Sequence, residues 1–171
     1  MLSYKAVTAD FAWKGVGLEG AAAFDETLES LRPGATATAL RIVGERTLAE
    51  DVVQDAFVKA TLSAGQLKDG QSLAAWLRKI VVRCALDALE SCRRSVSQVE
   101  DHPAAPDKRL GVQMALDRLK PDHQAVLALA FGDGLTHQEI ADALDIPTGT
   151  VASRIYAAKA AFKKVWGDDH D

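Results

Sequence analysis

The sequence predicts an all-α protein built of two small helical domains, and three observations carry that expectation. Apolar residues recur every three or four positions over long stretches, the period of a helix with one buried face. Strand signals are poor: no clear run alternates apolar with polar residues, and the β-branched residues are scattered. The polar stretch SVSQVEDHPAAPDK at 95–108 interrupts the helical period with two prolines, a composition that favours an extended, flexible linker. A chain of 171 residues has room for one medium domain or two small ones, and 48% apolar content is enough to fill their cores.

Residues 1–20 hold three of the twelve glycines and show no convincing periodicity, so 1–23 is set apart as a leader. The first domain spans 24–94, the linker 95–109 and the second domain 110–166, and the tail GDDHD at 167–171 is expected to fray. Within RIVGERTLAEDVVQDAFVKA at 41–60, Ala49, Val52, Val53, Ala56, Phe57 and Ala60 lie at helical spacing. The opposite face carries Glu50, Asp51, Gln54, Asp55 and Lys59, which on the residues alone reads as a solvated surface. In SLAAWLRKIVVRCALDALESCRR at 72–94, Leu73, Trp76, Leu77, Ile80, Val81, Cys84, Ala88 and Leu89 form one apolar stripe, with Trp76 in the core. Arg78, Lys79, Arg83, Arg93 and Arg94 make this the most basic segment of the chain.

The second domain holds LTHQEIADALDIPTGTVASRIYAAKAAF at 135–162. Thr136 with Glu139 three residues on is a capping box, opening a helix that buries Ile140, Ala141 and Leu144. Pro147 cannot continue that helix, and Thr148 is placed to cap a second one whose stripe is Val151, Ile155, Ala158 and Phe162. Two capped helices, a short turn and matched apolar faces make a helix-turn-helix. Its outward face would carry Thr150, Ala152, Ser153, Arg154, Tyr156, Ala157 and Lys159. Thr150, Ser153 and Tyr156 can hydrogen-bond phosphates or base edges, and Arg154 can bond a phosphate or pair with guanine.

Charge complicates a nucleic-acid role. The net charge is −4: residues 1–95 hold twelve basic and twelve acidic side chains, and residues 111–171 hold six and nine. Phosphate neutralisation drives DNA affinity, so the second domain alone should bind weakly. Other classes are disfavoured. No apolar run approaches the ~20 residues of a membrane helix, and the first residues lack the apolar core of a signal peptide, so a cytoplasmic protein without membrane insertion is expected. Cys84 and Cys92 fall in one helix roughly 12 Å apart, too far for a disulfide, and both are expected to be buried thiols. Neither they nor the four histidines have metal-ligand spacing, so no metal or cofactor is expected. With no phosphate loop and no nucleophile beside a base, neither an enzyme nor a small-molecule substrate is expected.

The second domain resembles region four of the extracytoplasmic-function (ECF) sigma factors of bacterial RNA polymerase, in the sigma-70 family. It shares that family's G-L-S/T-x-x-E-I-A and I-P-x-G-T-V-K-S-R at Gly134, Leu135, Thr136, Glu139, Ile140, Ala141 and then Ile146, Pro147, Gly149, Thr150, Val151, Ser153, Arg154. Ala152 and Ala157 stand where the family has a lysine and an arginine. The first domain resembles region two, a helical bundle, through Gly44, Ala49, Glu50, Asp51, Val53, Gln54, Phe57 and Ala60, and through Trp76, Leu77, Ile80, Ala85, Leu86, Asp87 and Leu89. The family's arginine-asparagine pair is here Val82-Arg83.

The resemblance implies an alternative sigma factor that joins core RNA polymerase and recognises and melts promoter DNA. Asp51, Gln54 and Asp55 would contact polymerase. Arg78, Lys79, Arg83, Arg93 and Arg94 would contact the minus-ten element, helped by a loop at 63–72 that takes an extruded base. Thr150, Ser153, Arg154, Tyr156 and Lys159 would read the minus-thirty-five element. An anti-sigma protein is a further expected partner. The alternative is a sigma-like decoy that binds an anti-sigma protein without supporting transcription, which the acidic second domain and the two alanines would suit.

Overall fold

The computed structural model describes residues 18–67, 72–96 and 108–168, which form eight α-helices and no strand. In chain order these are α1 (Leu18–Ser30), α2 (Arg32–Val43), α3 (Arg46–Leu62), α4 (Leu73–Val96), α5 (Lys108–Asp117), α6 (Pro121–Leu127), α7 (His137–Leu144) and α8 (Thr148–Asp168). The all-α expectation holds. α1 begins inside the segment set apart as a leader, where Ala21, Ala22 and Ala23 and Gly20 give little contrast between faces. Residues 1–17 and 169–171, and the linker between 97 and 107, lie outside the described residues.

In the first half, local signals set the corners and apolar faces set the packing. α2 ends at Gly44, whose φ of 77° is left-handed and whose N–H bonds the Leu40 carbonyl. Glu45 follows at once, its carboxylate accepting from the N–H groups of Thr47 and Leu48 at 2.8 and 2.9 Å, and so opens α3. α3 buries Ala49, Val52, Val53, Ala56, Phe57 and Ala60, the stripe read from the sequence. Against it lie Ile42 and Val43 of α2 and Leu77 and Val81 of α4, all buried. Burial of side chains this size contributes about 1.5–3 kcal/mol each before entropy is charged.

α4 departs from a single-stripe helix. Val82 and Ala85 are as fully buried as Val81, because the second half packs on its other side. Trp76 is partly buried against the core, as expected. Cys84 is buried but Cys92 is exposed, contrary to the expectation for both. Eight residues turn a helix by about 80° beyond two full turns, which carries Cys92 off the buried stripe.

In the second half, α6 widens into a π-helical turn, Ala128–Gly132, that buries Leu129. Gly134 at φ 66° then turns the chain into the capping box. Thr136 accepts from the Glu139 N–H at 3.3 Å, and the Thr136 N–H donates to the Glu139 carboxylate at 2.9 Å. α7 stops at Asp145, a left-handed residue at φ 56° whose N–H bonds Ala141. Thr148 is the first helical residue of α8 and not its cap: its hydroxyl donates 2.9 Å to Gln138 Oε1 on α7, pinning the two helices together.

The two halves share one buried apolar cluster that runs from Leu28 to Ala158. α7 and α6 lie on α4, and the π-turn lies on α2.

Candidate nucleic-acid interface

Three groups of side chains were expected to carry function, and they occupy three different settings. Asp51, Gln54 and Asp55 share one exposed face of α3. Spacings of three and four residues continue that face to Val58 and Leu62, 36% and 50% exposed. The result is an acidic patch with an apolar end on a helix whose other side is anchored in the core.

The basic residues of α4 face the second half. Lys79 Nζ lies 2.7 Å from the Asp145 carboxylate at the end of α7. That contact holds the Asp145 carboxyl below its ordinary value, with the Arg83 charge adding to the effect. Glu139 is also lowered, first by the Thr136 N–H and hydroxyl and then by the charge of Arg78. Arg93 donates to the carbonyl oxygens of Leu119 and Asp117. Burial pushes the Asp117 carboxyl up, against the pull of the Gln113 amide and Arg93. Arg94 is exposed. Sequence reasoning missed Arg41 and Asp133: Asp133, only 10% exposed, accepts from Arg41 and, at 2.7 Å, from the Thr38 hydroxyl. No motif announces this site, because its members lie 92 and 95 residues apart in the chain.

The five residues assigned to the reading helix do not form one face. Tyr156, 78% exposed, and Ser153 stand outward on α8 with Ala152 and Ala157. Thr150 is half-buried, and its carbonyl accepts from the Ser153 hydroxyl at 2.9 Å. Arg154 and Lys159 lie about 140° apart around the helix at ~100° per residue, on opposite flanks of the buried stripe. Arg154 pairs with Asp122 at 3.2 Å. Lys159 sits 4.6 Å over the Phe131 ring, beside an apolar groove of about 530 Å³ lined by Val112, Leu127 and Phe162. The loop assigned to an extruded base lies largely outside the described residues, beyond Leu67.

The chain is thus a two-part helical protein with a helix-turn-helix in its second part and an acidic helix face in its first. Two family descriptions match it in the same order: "Sigma-70 region 2" over residues 27–95 and "Sigma-70, region 4" over residues 109–162. The chain belongs to the sigma-70 family, in its ECF branch. It is 30% identical over 126 residues to the ECF RNA polymerase sigma factor SigM of Mycobacterium tuberculosis, an alignment covering 70% of this chain and 64% of SigM. It is 31% identical over 136 residues to the ECF RNA polymerase sigma factor SigE of Mycolicibacterium smegmatis, covering 71% of this chain and 52% of SigE. These alignments span under two thirds of either relative's length. In fold it is similar to the sigma factor RpoE of Bartonella quintana, solved with the anti-sigma factor NepR: TM-score 0.64, 24% identity, 83% of this chain and 95% of RpoE covered.

Proposed function

We propose that this chain is an alternative sigma factor that joins core RNA polymerase and directs promoter recognition and melting. One observation carries the reading: regions two and four of the sigma-70 family occur on one chain in the family's order. In this reading Asp51, Gln54 and Asp55 dock α3 on polymerase, with Val58 and Leu62 extending the contact. Arg78, Lys79, Arg83, Arg93 and Arg94 hold the backbone of the minus-ten element. Thr150, Ser153 and Tyr156 face the minus-thirty-five element, with Arg154 and Lys159 at its edges. Polymerase supplies the effective concentration that a weakly charged reading helix lacks. An anti-sigma protein is the regulatory partner, by analogy with RpoE and NepR, and the protein acts in the cytoplasm.

The test is transcription by reconstituted polymerase on genomic fragments. Core enzyme with this chain should start at discrete sites that core enzyme alone ignores. Asp51→Lys with Asp55→Lys should weaken the chain's affinity for core enzyme by about tenfold or more, the effect of charge reversal at a polar interface. A chain that never joins core enzyme but titrates an anti-sigma protein would be a decoy, and the proposal would be withdrawn.

A further inference from the structure

The acidity of the second half, awkward for a DNA-binding domain, has a use within the molecule. Its carboxylates meet the cations of the first half one by one. Asp145 takes Lys79 at 2.7 Å and lies in the field of Arg83. Glu139 lies in the field of Arg78. Asp133 takes Arg41 and Thr38. Backbone carbonyls of Leu119 and Asp117 take Arg93. Four of the five cations assigned to promoter DNA therefore face the chain's own second half. Beside them, where the family pattern has an arginine, stands Val82, which is fully buried. It lies on the same helical face as Lys79 and Leu86, and Leu86 borders α7 with Ala143 and Leu144.

We infer that the second half is an intramolecular stand-in for nucleic acid. Asp133, Glu139 and Asp145 occupy the α4 face and the adjoining α2 edge in place of phosphates, so DNA and the second half compete for the same cations. The inference rests on the reading of α4 as a DNA-binding helix. It accounts for three features together: the net negative second half, the apolar residue at position 82 and the ion pairs across the boundary. A free chain is then closed to DNA, and anything that draws the second half away exposes α4.

The test uses the full chain with Asp133→Asn, Glu139→Gln and Asp145→Asn combined. Each amide keeps the local role of the acid it replaces. Asparagine tolerates the left-handed backbone at 145, glutamine completes a capping box, and asparagine at 133 still accepts from Thr38. Far-ultraviolet circular dichroism confirms that helicity is retained. The control is Asp25→Asn, Glu26→Gln and Asp142→Asn, which removes the same charge from exposed positions off the boundary. Two quantities are read: the radius of gyration by X-ray scattering, and binding of labelled single-stranded and duplex DNA by fluorescence anisotropy. The wild type and the control should stay near the ~16 Å of a compact chain of this length. The boundary variant should expand by several ångströms and bind DNA about tenfold more tightly than the control at low salt, a gain that shrinks as salt rises. Equal DNA affinity in boundary variant and control overturns the inference, whether or not the chain expands, and so does an unchanged radius. Transcription by holoenzyme separates the two proposals. Initiation by all three proteins, with no difference between boundary variant and control in free-chain binding, removes only the competition. A boundary variant that opens and binds DNA while no protein supports initiation removes the sigma-factor reading and leaves the competition standing.

Discussion

Gly44 does two things that no other residue does at its place. It adopts φ 77°, where a Cβ costs about 1–2 kcal/mol, and it lies so close to α5 that a Cβ would overlap the Gln113 amide and press on the Asp117 carboxylate. Gly34, in the first turn of α2, has open space where its Cβ would be and an ordinary backbone. The pair makes opposite predictions. Gly44→Ala should lower stability by about 1–2 kcal/mol and loosen the contact between α2 and α5. Gly34→Ala should raise stability by about 0.5 kcal/mol, since alanine loses less chain entropy in a helix. Urea denaturation of both variants measures this. A Gly44→Ala protein as stable as wild type would mean that the tight corner between α2 and α3 is not required.

At the scale of single elements, the capping box of α7 is the most self-sufficient feature of the fold. Thr136 and Glu139 satisfy each other's backbone donors, and the Thr136 hydroxyl adds a 2.8 Å bond to the same carboxylate. Thr136→Ala should cost about 1 kcal/mol, and Thr136→Ser should restore most of it, because serine offers the same oxygen. Loss of stability in both variants alike would show that methyl packing, and not the cap, holds the helix start. This element was legible in advance because its signals are local: an acceptor, a glutamate three residues on, an apolar stripe and a proline beyond. The buried face of α3 was legible for the same reason. The second face of α4 was not. Val82 and Ala85 gain their burial from α7, more than fifty positions further along the chain, and helical periodicity around one helix cannot name its remote neighbours. The grouping of Arg154 and Lys159 with Tyr156 failed differently. Both are polar and look outward in sequence, but about 140° of helix rotation separates them and each has a partner, Asp122 and Phe131. The outlying cations of α4 were found by composition alone, and what they face was not.

Over the whole molecule, the same boundary carboxylates set how the closed form responds to acid. Asp145 and Glu139 have folded pKa values below their ordinary 3.8 and 4.5. A lowered carboxyl contributes stability that is complete above its ordinary pKa and is lost as pH falls through the lowered value. Asp117, at the α5 edge of the same boundary, runs the other way. Burial raises its carboxyl above 3.8, so its charge costs stability near neutrality, and that cost disappears as pH falls through the raised value. The two effects occupy different windows. Acidification from neutrality toward the ordinary carboxylate range should leave the closed form intact or slightly firmer, through Asp117. Below 3.8 the Lys79–Asp145 contact should fail and the radius of gyration should rise while helicity persists. Asp117→Asn should raise the thermal midpoint at pH 7 and lose that advantage in acid, where the wild-type carboxyl is already neutral. Salt provides an independent check. The Lys79–Asp145 pair is 43% and 73% exposed and should be screened over about 10 Å at 0.1 M salt, whereas Asp133, at 10%, should hold Arg41 to higher ionic strength. Scattering across pH and salt reads both effects, and opening that begins between pH 7 and 5 would show that groups other than these carboxylates hold the halves together.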